Sequence, residues 1–334
     1  MKKLKRTLAV LLTVAAVLTL TACGNQPGST SNGGAPAQVA TYLYKSIPLL
    51  DCDPSVEFSD GIITMNNIYE TLLYYDMEND KLEPRLATEY SHSEDGLVWT
   101  FKIRKGVKFH DGTTMDAEAV KFSIDRTMKK GMGASFIWDP VSGVNGGERN
   151  TAEFHLKYPA ALDMIAATGY AAFIYSPTAV SGYGDIWPEG AECGTGPYIM
   201  QSYTPGEEII LSKFEDYWRG WDGEHFDKAV IRKTPSRRQM MEKGDGDITY
   251  GLPETDVKDI KNAGQLTVDV ASTLENVVAM LNCERAPLDN PLVRQALAYA
   301  FPYQDVVDYA VGVYATQATG RPVGSQRRPL PIQL

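Results

Sequence analysis

The chain has 334 residues, a formal net charge of −10 and a hydrophobic fraction of 43%. A chain of this length buries a large core and usually divides into lobes. Its acidic balance argues against a protein that binds nucleic acid.

The first 22 residues predict a secretory signal. Four basic residues precede the uncharged run 7–20, whose 14 residues are fewer than the roughly 20 of a membrane-spanning helix. The following Leu-Thr-Ala-Cys-Gly resembles a bacterial lipobox, which implies that Cys23 is acylated and becomes the mature N-terminus; an ordinary signal peptide is the alternative. Cleavage removes four basic residues, which leaves 28 basic against 42 acidic ones and a net charge of −14.

Residues 23–37 are rich in Gly, Ser and Pro and predict a flexible tether. A lipid anchor with a tether predicts an extracytoplasmic protein, held at the outer face of the cytoplasmic membrane or in the periplasm. The other cysteines are Cys52, Cys193 and Cys283, whose wide spacing indicates neither a zinc site nor a disulfide framework. One pair of these three cysteines could form a disulfide in an extracytoplasmic protein, and the sequence does not say which pair.

Residues 97–126 predict a strand, a turn, a short second strand and a helix. Apolar residues alternate with polar ones over 97–104, which is typical of a strand with one buried face. The second strand is predicted around Val107–Phe109, and Asp116 is the expected N-cap of a helix that begins at Ala117. His110 and Asp111 have the chemistry of a general base with its orienting partner, but adjacent strand residues point to opposite faces, so a structural role is favoured.

Residues 84–126 closely resemble the signature region of the family 5 extracellular solute-binding proteins, the oligopeptide, dipeptide and nickel receptors of ABC importers. Further segments resemble the same family in the right order: 67–76, 194–198, 214–220 and 291–300. The resemblance implies an α/β, two-lobed, class II periplasmic-binding-protein fold with an extra subdomain. It also implies a receptor rather than an enzyme, with a peptide or other small solute and the importer permease as partners.

The resemblance implies a first lobe at 38–82 and 192–272, a subdomain at 83–191 and a second lobe that starts at 273. Within this division, short strands are expected at 230–231 and 248–252 on either side of a helix at 237–243. A buried strand is expected at 275–282, where the chain crosses between lobes. Asn290 and Pro291 are expected to start a helix whose buried side carries Leu292, Ala296, Leu297 and Ala300.

Ligand contacts are expected from the family positions of eight residues: Tyr44, Ser46, Tyr198, Tyr250, Gly251, Leu252, Asn276 and Asn282. Receptors of this family hold extended peptides largely through the ligand's main chain, as in strand addition. The alternative for the tyrosines is a core position with one wet edge, and for the asparagines a cap at a strand end.

Motifs of the common hydrolases and nucleotide-binding enzymes are missing, and the four histidines lack metal-ligand spacing. Gly244–Asp247 predicts a turn rather than a calcium loop. No cofactor and no metal are therefore expected. The rival hypotheses are a membrane-anchored secreted hydrolase and a chaperone-like, partner-binding lipoprotein that retains the fold.

The last segment, 321–334, has three arginines, three prolines and no periodicity, and is predicted to be irregular. The family pattern is expected to end at Gly320, so an incomplete second lobe is expected in residues 273–320. A truncated or frameshifted gene end is the leading hypothesis. It would leave the apolar faces of the crossing strand and of helix 291–301 partly uncovered and weaken ligand binding, and the identity of the substrate remains open.

Overall fold

The computed structural model describes residues 38–45, 52–59, 61–147, 150–181, 192–269 and 278–310. These residues belong to one compact unit that begins at Gln38. Within this part of the chain, no helix has the length and apolar character needed to cross a membrane.

The described ranges contain both strands and helices. The strands are β1 Val39–Tyr44, β2 Leu73–Asp76, β3 Lys81–Pro84, β4 Ala87–His92, β5 Val98–Ile103, β6 Val141–Gly146, β7 Thr151–Leu156, β8 Tyr198–Thr204, β9 Glu208–Lys213, β10 Lys228–Lys233 and β11 Ile248–Thr249. The helices are α1 Ile62–Ile68, α2 Ala117–Lys130, α3 Leu162–Ile165, α4 Pro177–Val180, α5 Arg237–Lys243, α6 Glu254–Ala263, α7 Pro291–Ala300 and α8 Tyr303–Ala310.

The strands form two larger sheets and the hairpin of β2 and β3. A five-stranded sheet has the order β11-β1-β10-β9-β8, in which β1 is parallel to both of its neighbours and the other pairs are antiparallel. An antiparallel four-stranded sheet has the order β4-β5-β7-β6. The first sheet draws on both segments predicted for the first lobe and the second lies within 83–191; the division into lobes stays a prediction.

The alternating segment forms β5 as predicted, with one buried face that packs in the same core as α2. Asp116 caps α2 and accepts a hydrogen bond from the backbone N–H of Ala119 at 3.0 Å. Val107 and Phe109 are buried, but the second strand predicted for them is wrong. Only an isolated bridge forms there, between Lys108 and Thr114, because the tight turn between them leaves no room for a longer ladder.

The carboxylate of Glu70, 2% exposed, is the meeting point of four segments that resemble the solute-binding family. It accepts hydrogen bonds from Thr195 Oγ1 at 3.0 Å, Tyr217 Oη at 3.0 Å and Trp218 Nε1 at 2.6 Å. Arg85 Nε lies 3.6 Å from the same carboxylate. This cluster, which we call the Glu70 junction, joins the two larger sheets through contacts that the linear sequence does not reveal.

Gly194 and Gly196 bring the backbone of the 194–198 segment into close contact with the end of α1. A Cβ atom at Gly194 would lie 2.1 Å from the carbonyl oxygen of Ile68, and one at Gly196 would lie 2.6 Å from that of Asn67. The N–H of Gly196 donates to the carbonyl of Ile68 at 2.9 Å. Only glycine fits at these two positions.

The buried carboxylate of Asp53 pairs with the guanidinium of Arg126 through two hydrogen bonds of 2.7 Å. Burial alone raises the pKa of Asp53, but hydrogen bonds from Arg126 and Ser55 outweigh it and hold the pKa below its ordinary value. The pair connects the segment after β1 to helix α2.

Two predictions near the end of the described chain are wrong. Of the buried strand predicted at 275–282, residues 275–277 lie outside the described residues; residues 278–282 pair with no described strand, and Met280 is 91% exposed. Helix α7 starts with Asn290 as N-cap and Pro291, as predicted. None of its residues is buried, so the side expected from Leu292, Ala296, Leu297 and Ala300 is not a buried one.

Candidate ligand-binding site

The carboxyl ends of three parallel strands meet at one edge of the five-stranded sheet. Strand β1 ends at Tyr44, β10 at Lys233 and β11 at Thr249. The connection from β10 runs through α5 and passes β1 to reach β11 on the other side of it. The chain that leaves β1 goes elsewhere, so the connections of these neighbouring strands diverge at this edge. Open α/β sheets bind their ligands at such an edge, where strand connections diverge.

The loop Tyr250–Leu252 follows β11 at this edge and is held from two sides. On one side, Thr249 Oγ1 donates to the carbonyl of Leu43 in β1 at 2.9 Å. On the other side, the guanidinium of Arg237 donates to the carbonyl of Tyr250 and, at 3.3 Å, to that of Gly251. Gly251 has a φ of +65°, a left-handed conformation that glycine adopts without strain.

A cavity of about 550 Å³ lies beside this loop, between the first turns of α5 and α6. Its walls are formed by the following residues: Pro235, Ser236, Arg237, Arg238, Gln239, Glu242, Leu252, Pro253 and Asp256. Arg238 joins the two helices by hydrogen bonds of 2.9 Å to Glu242, 3.0 Å to Asp256 and 2.9 Å to Asp259. These carboxylates neutralise the charge of Arg238, so its role is to hold α5 and α6 together.

The structure brings together some of the residues predicted to line the cleft. Tyr44 lies at the end of β1, one position beyond the paired Leu43 and Thr249, so it is next to the start of the Tyr250–Leu252 loop. Its ring is buried and packs against Tyr42, with 5.8 Å between ring centroids. The Tyr250 side chain is 60% exposed. Tyr250, Gly251 and Leu252 therefore form the accessible part of the edge, and Tyr44 supports it from the core.

Tyr198 does not join this group. It begins β8, which runs in the same direction as β10, so it lies at the amino edge of the sheet, opposite the carboxyl ends. Its hydroxyl donates to the carbonyl of Phe226 at 2.9 Å, and its ring packs against Trp221. The sequence shows that Tyr198 follows a family motif, but it does not predict the direction in which β8 runs in the sheet.

Asn282 serves a local turn, in which its side-chain oxygen accepts a hydrogen bond from the N–H of Glu284 at 3.1 Å. Cys23, Ser46 and Asn276 lie outside the described residues, so their predicted roles stay predictions.

His110 and Asp111 bind different partners, which agrees with a structural role. His110 Nε2 donates to the carbonyl of Gly196 at 2.9 Å, while Asp111 accepts hydrogen bonds of 2.5 Å from both Ser176 and Thr113. Burial lowers the pKa of His110, and its hydrogen bond to Gly196 offsets only part of this effect. Burial raises the pKa of Asp111, but the bonds from Ser176 and Thr113 outweigh it and the pKa is lowered.

No disulfide joins any pair of Cys52, Cys193 and Cys283. Burial raises the pKa of the Cys193 thiol to about 12, which makes it a poor nucleophile near neutral pH. Across the described ranges, no three His, Cys, Asp or Glu side chains are grouped to hold a metal ion.

Comparison with known proteins identifies the family. The model of the bacterial extracellular solute-binding proteins, family 5, matches residues 81–326. The chain belongs to this family. The match runs six residues past Gly320, the point where the sequence predicted that the family pattern ends. Solved structures of two-lobed periplasmic binding proteins share its α/β fold, in keeping with the predicted fold class.

Proteins named for different ligands resemble this chain. A probable D,D-dipeptide-binding periplasmic protein of Escherichia coli K12 is 27% identical over 78% of this chain and 52% of its own length. A glutathione-binding protein of Salmonella paratyphi A is 31% identical over 72% and 48%. The crystal structure of a nickel ABC transporter from Bacillus halodurans superposes with a TM-score of 0.65, at 26% identity over 86% and 58%. The chain thus spans about half the length of the curated relatives it matches.

Proposed function

We propose that this protein is the substrate-binding component of an ABC importer, which captures peptides or related small solutes outside the cell and delivers them to a permease. The observation that carries the proposal is the accessible loop Tyr250–Leu252 at the carboxyl edge of a partly parallel sheet. Its exposed main chain suits ligands that are recognised by backbone hydrogen bonds. The similarity to a probable D,D-dipeptide-binding protein and to a glutathione-binding protein supports peptide-like ligands; the similarity to a nickel ABC transporter leaves a metal complex as the second candidate.

The ligand class is tested by thermal unfolding with single candidate ligands. We expect a D,D-dipeptide, glutathione or an L-tripeptide, at about 100 times its dissociation constant, to raise the Tm by about 5 °C. A rise with Ni²⁺ and L-histidine, but with none of the peptides, would favour the metal complex. Chromatography of the same peptides after overnight incubation should recover them intact, and measurable hydrolysis would favour the rival hydrolase and contradict a receptor.

Lipid anchoring at Cys23 is the second part of the proposed function. It rests on the Leu-Thr-Ala-Cys-Gly sequence and on the basic and apolar segments before it. In a bacterial host fed an alkyne fatty acid, we expect label on the unmodified chain and none on Cys23→Ser, which would appear in the soluble extracytoplasmic fraction. Equal labelling of Cys283→Ser and the unmodified chain is the matched control. An unlabelled parent chain would contradict the anchor without affecting the receptor.

A further inference from the structure

Arg237 differs from its neighbour Arg238 in the groups it contacts. Arg238 contacts three carboxylates, whereas the hydrogen bonds of Arg237 go to the carbonyls of Tyr250 and Gly251. Among the described ion pairs, none includes Arg237. Its positive charge is therefore not neutralised by a carboxylate of the described chain, and it lies beside a loop whose main chain is exposed.

The two carbonyl contacts fix the direction of the next two amides. In a planar trans peptide, the N–H points away from the preceding C=O. Since Arg237 holds the carbonyls of Tyr250 and Gly251 on its own side, the N–H groups of Gly251 and Leu252 point to the other side of the loop. Neither N–H donates to an acceptor within the described residues.

The ends of the loop are fixed as well, so the amide direction is preset. Before the loop, Thr249 is bound to β1 through the carbonyl of Leu43. After it, Pro253 is the N-cap of α6, and its carbonyl accepts a hydrogen bond from the N–H of Val257 at 3.0 Å. Fixed donors with no internal acceptor lose little entropy when they bind an oxygen atom.

We propose that Arg237 is a positioning residue of the binding site: it presets the N–H groups of Gly251 and Leu252 to donate to carbonyl or carboxylate oxygens of the ligand. The proposal rests on the proposed function and narrows its substrate class to compounds with a main-chain-like carbonyl or a carboxylate group. The unneutralised guanidinium adds a positive potential that favours the same oxygen ligands. Side chains of the ligand contribute little to this contact.

The test uses the variants Arg237→Gln and Arg237→Lys, with Arg232→Gln as the matched control. Arg232 lies on β10 and pairs with Glu208 at 2.8 Å, 44% exposed and without contact to the loop. The first measurement is the NMR order parameter of the Gly251 and Leu252 amides in the free protein. We expect it to fall from about 0.85 to below about 0.6 in Arg237→Gln, and to stay unchanged in Arg232→Gln.

The second measurement is calorimetric titration with the peptide that gives the largest thermal shift. We expect Arg237→Gln to raise the Kd about tenfold, since two hydrogen bonds from a charged donor are lost, and Arg237→Lys to recover part of the affinity. A peptide whose contacting amide is reduced to a methylene amine should bind the parent chain as weakly as the normal peptide binds Arg237→Gln.

The outcomes separate this inference from the proposed function. Unchanged order parameters, or equal affinities of Arg237→Gln and Arg232→Gln in a chain that binds peptides, would overturn the positioning role and leave the receptor standing. A parent chain that binds none of the probes would contradict the proposed function and, with it, the role of the two amides. Loss of loop order together with loss of affinity, confined to the Arg237 variants, supports the proposal.

Discussion

Replacing Glu70 with alanine should lower the free energy of unfolding by about 3–5 kcal/mol, because it removes the shared acceptor of one buried and two half-buried donors. Thr195, Tyr217 and Trp218 all donate to this carboxylate, and Arg85 contributes a nearby positive charge. Each buried donor that loses its partner costs about 1–3 kcal/mol, although neighbouring groups and water recover part of this. The measurement is urea-induced unfolding followed by circular dichroism.

Glu70→Gln and Glu89→Ala separate the effect of the Glu70 junction from a general effect of charge. Glutamine keeps one acceptor oxygen in nearly the same shape, so we expect an intermediate loss. Glu89 forms an exposed pair with Lys102 at 2.8 Å, and its removal should change stability by less than about 1 kcal/mol. A Glu70→Ala loss as small as that of Glu89→Ala would contradict the view that this carboxylate joins the sheets.

Local structure around β5 and α2 follows from the sequence, because short-range rules decide it. The period-two pattern predicted β5 and its buried face, and Asp116 predicted the start of α2. Both depend on neighbours within a few residues. The short ladder predicted near Val107 failed, since turn geometry rather than alternation limits it.

Long-range features were predicted less well. The role of Glu70 is absent from any local pattern, since its partners lie up to 148 residues away along the chain. Tyr198 follows a family motif, but its position relative to Tyr250 depends on strand direction, which is set by pairing across the sheet. Only a specific three-dimensional arrangement defines these relations.

The exposed helices show a different limit of sequence patterns. Apolar residues at helical spacing predict which side of α7 packs against another element, but they do not predict which element that is. Leu292 is 69% and Leu297 46% exposed, so neither is buried on this helix. The amphipathic pattern was correct as a helix predictor and wrong as a predictor of burial.

Replacing Gly194 with alanine should cost about 3 kcal/mol or more, because the new methyl group overlaps a backbone atom that cannot move away. The Cβ atom would lie 2.1 Å from the carbonyl oxygen of Ile68 and 2.7 Å from Cδ1 of the buried Tyr69. Relief of the overlap requires a shift of the 194–198 backbone, which would also break the hydrogen bond from the N–H of His110 to the carbonyl of Gly194.

Gly143→Ala is the matched control, since a Cβ atom at Gly143 in β6 meets nothing within 4 Å. We expect this change to alter the free energy of unfolding by less than about 0.5 kcal/mol. Similar stabilities of Gly194→Ala and Gly143→Ala would show that the close approach to α1 is not required. The backbone shift would also move Thr195 away from Glu70, so the effects of Gly194→Ala and Glu70→Ala on the free energy of unfolding should overlap. The double variant Gly194→Ala/Glu70→Ala should therefore lose less stability than the sum of the two single losses. The losses of Glu70→Ala and Gly143→Ala should instead be additive.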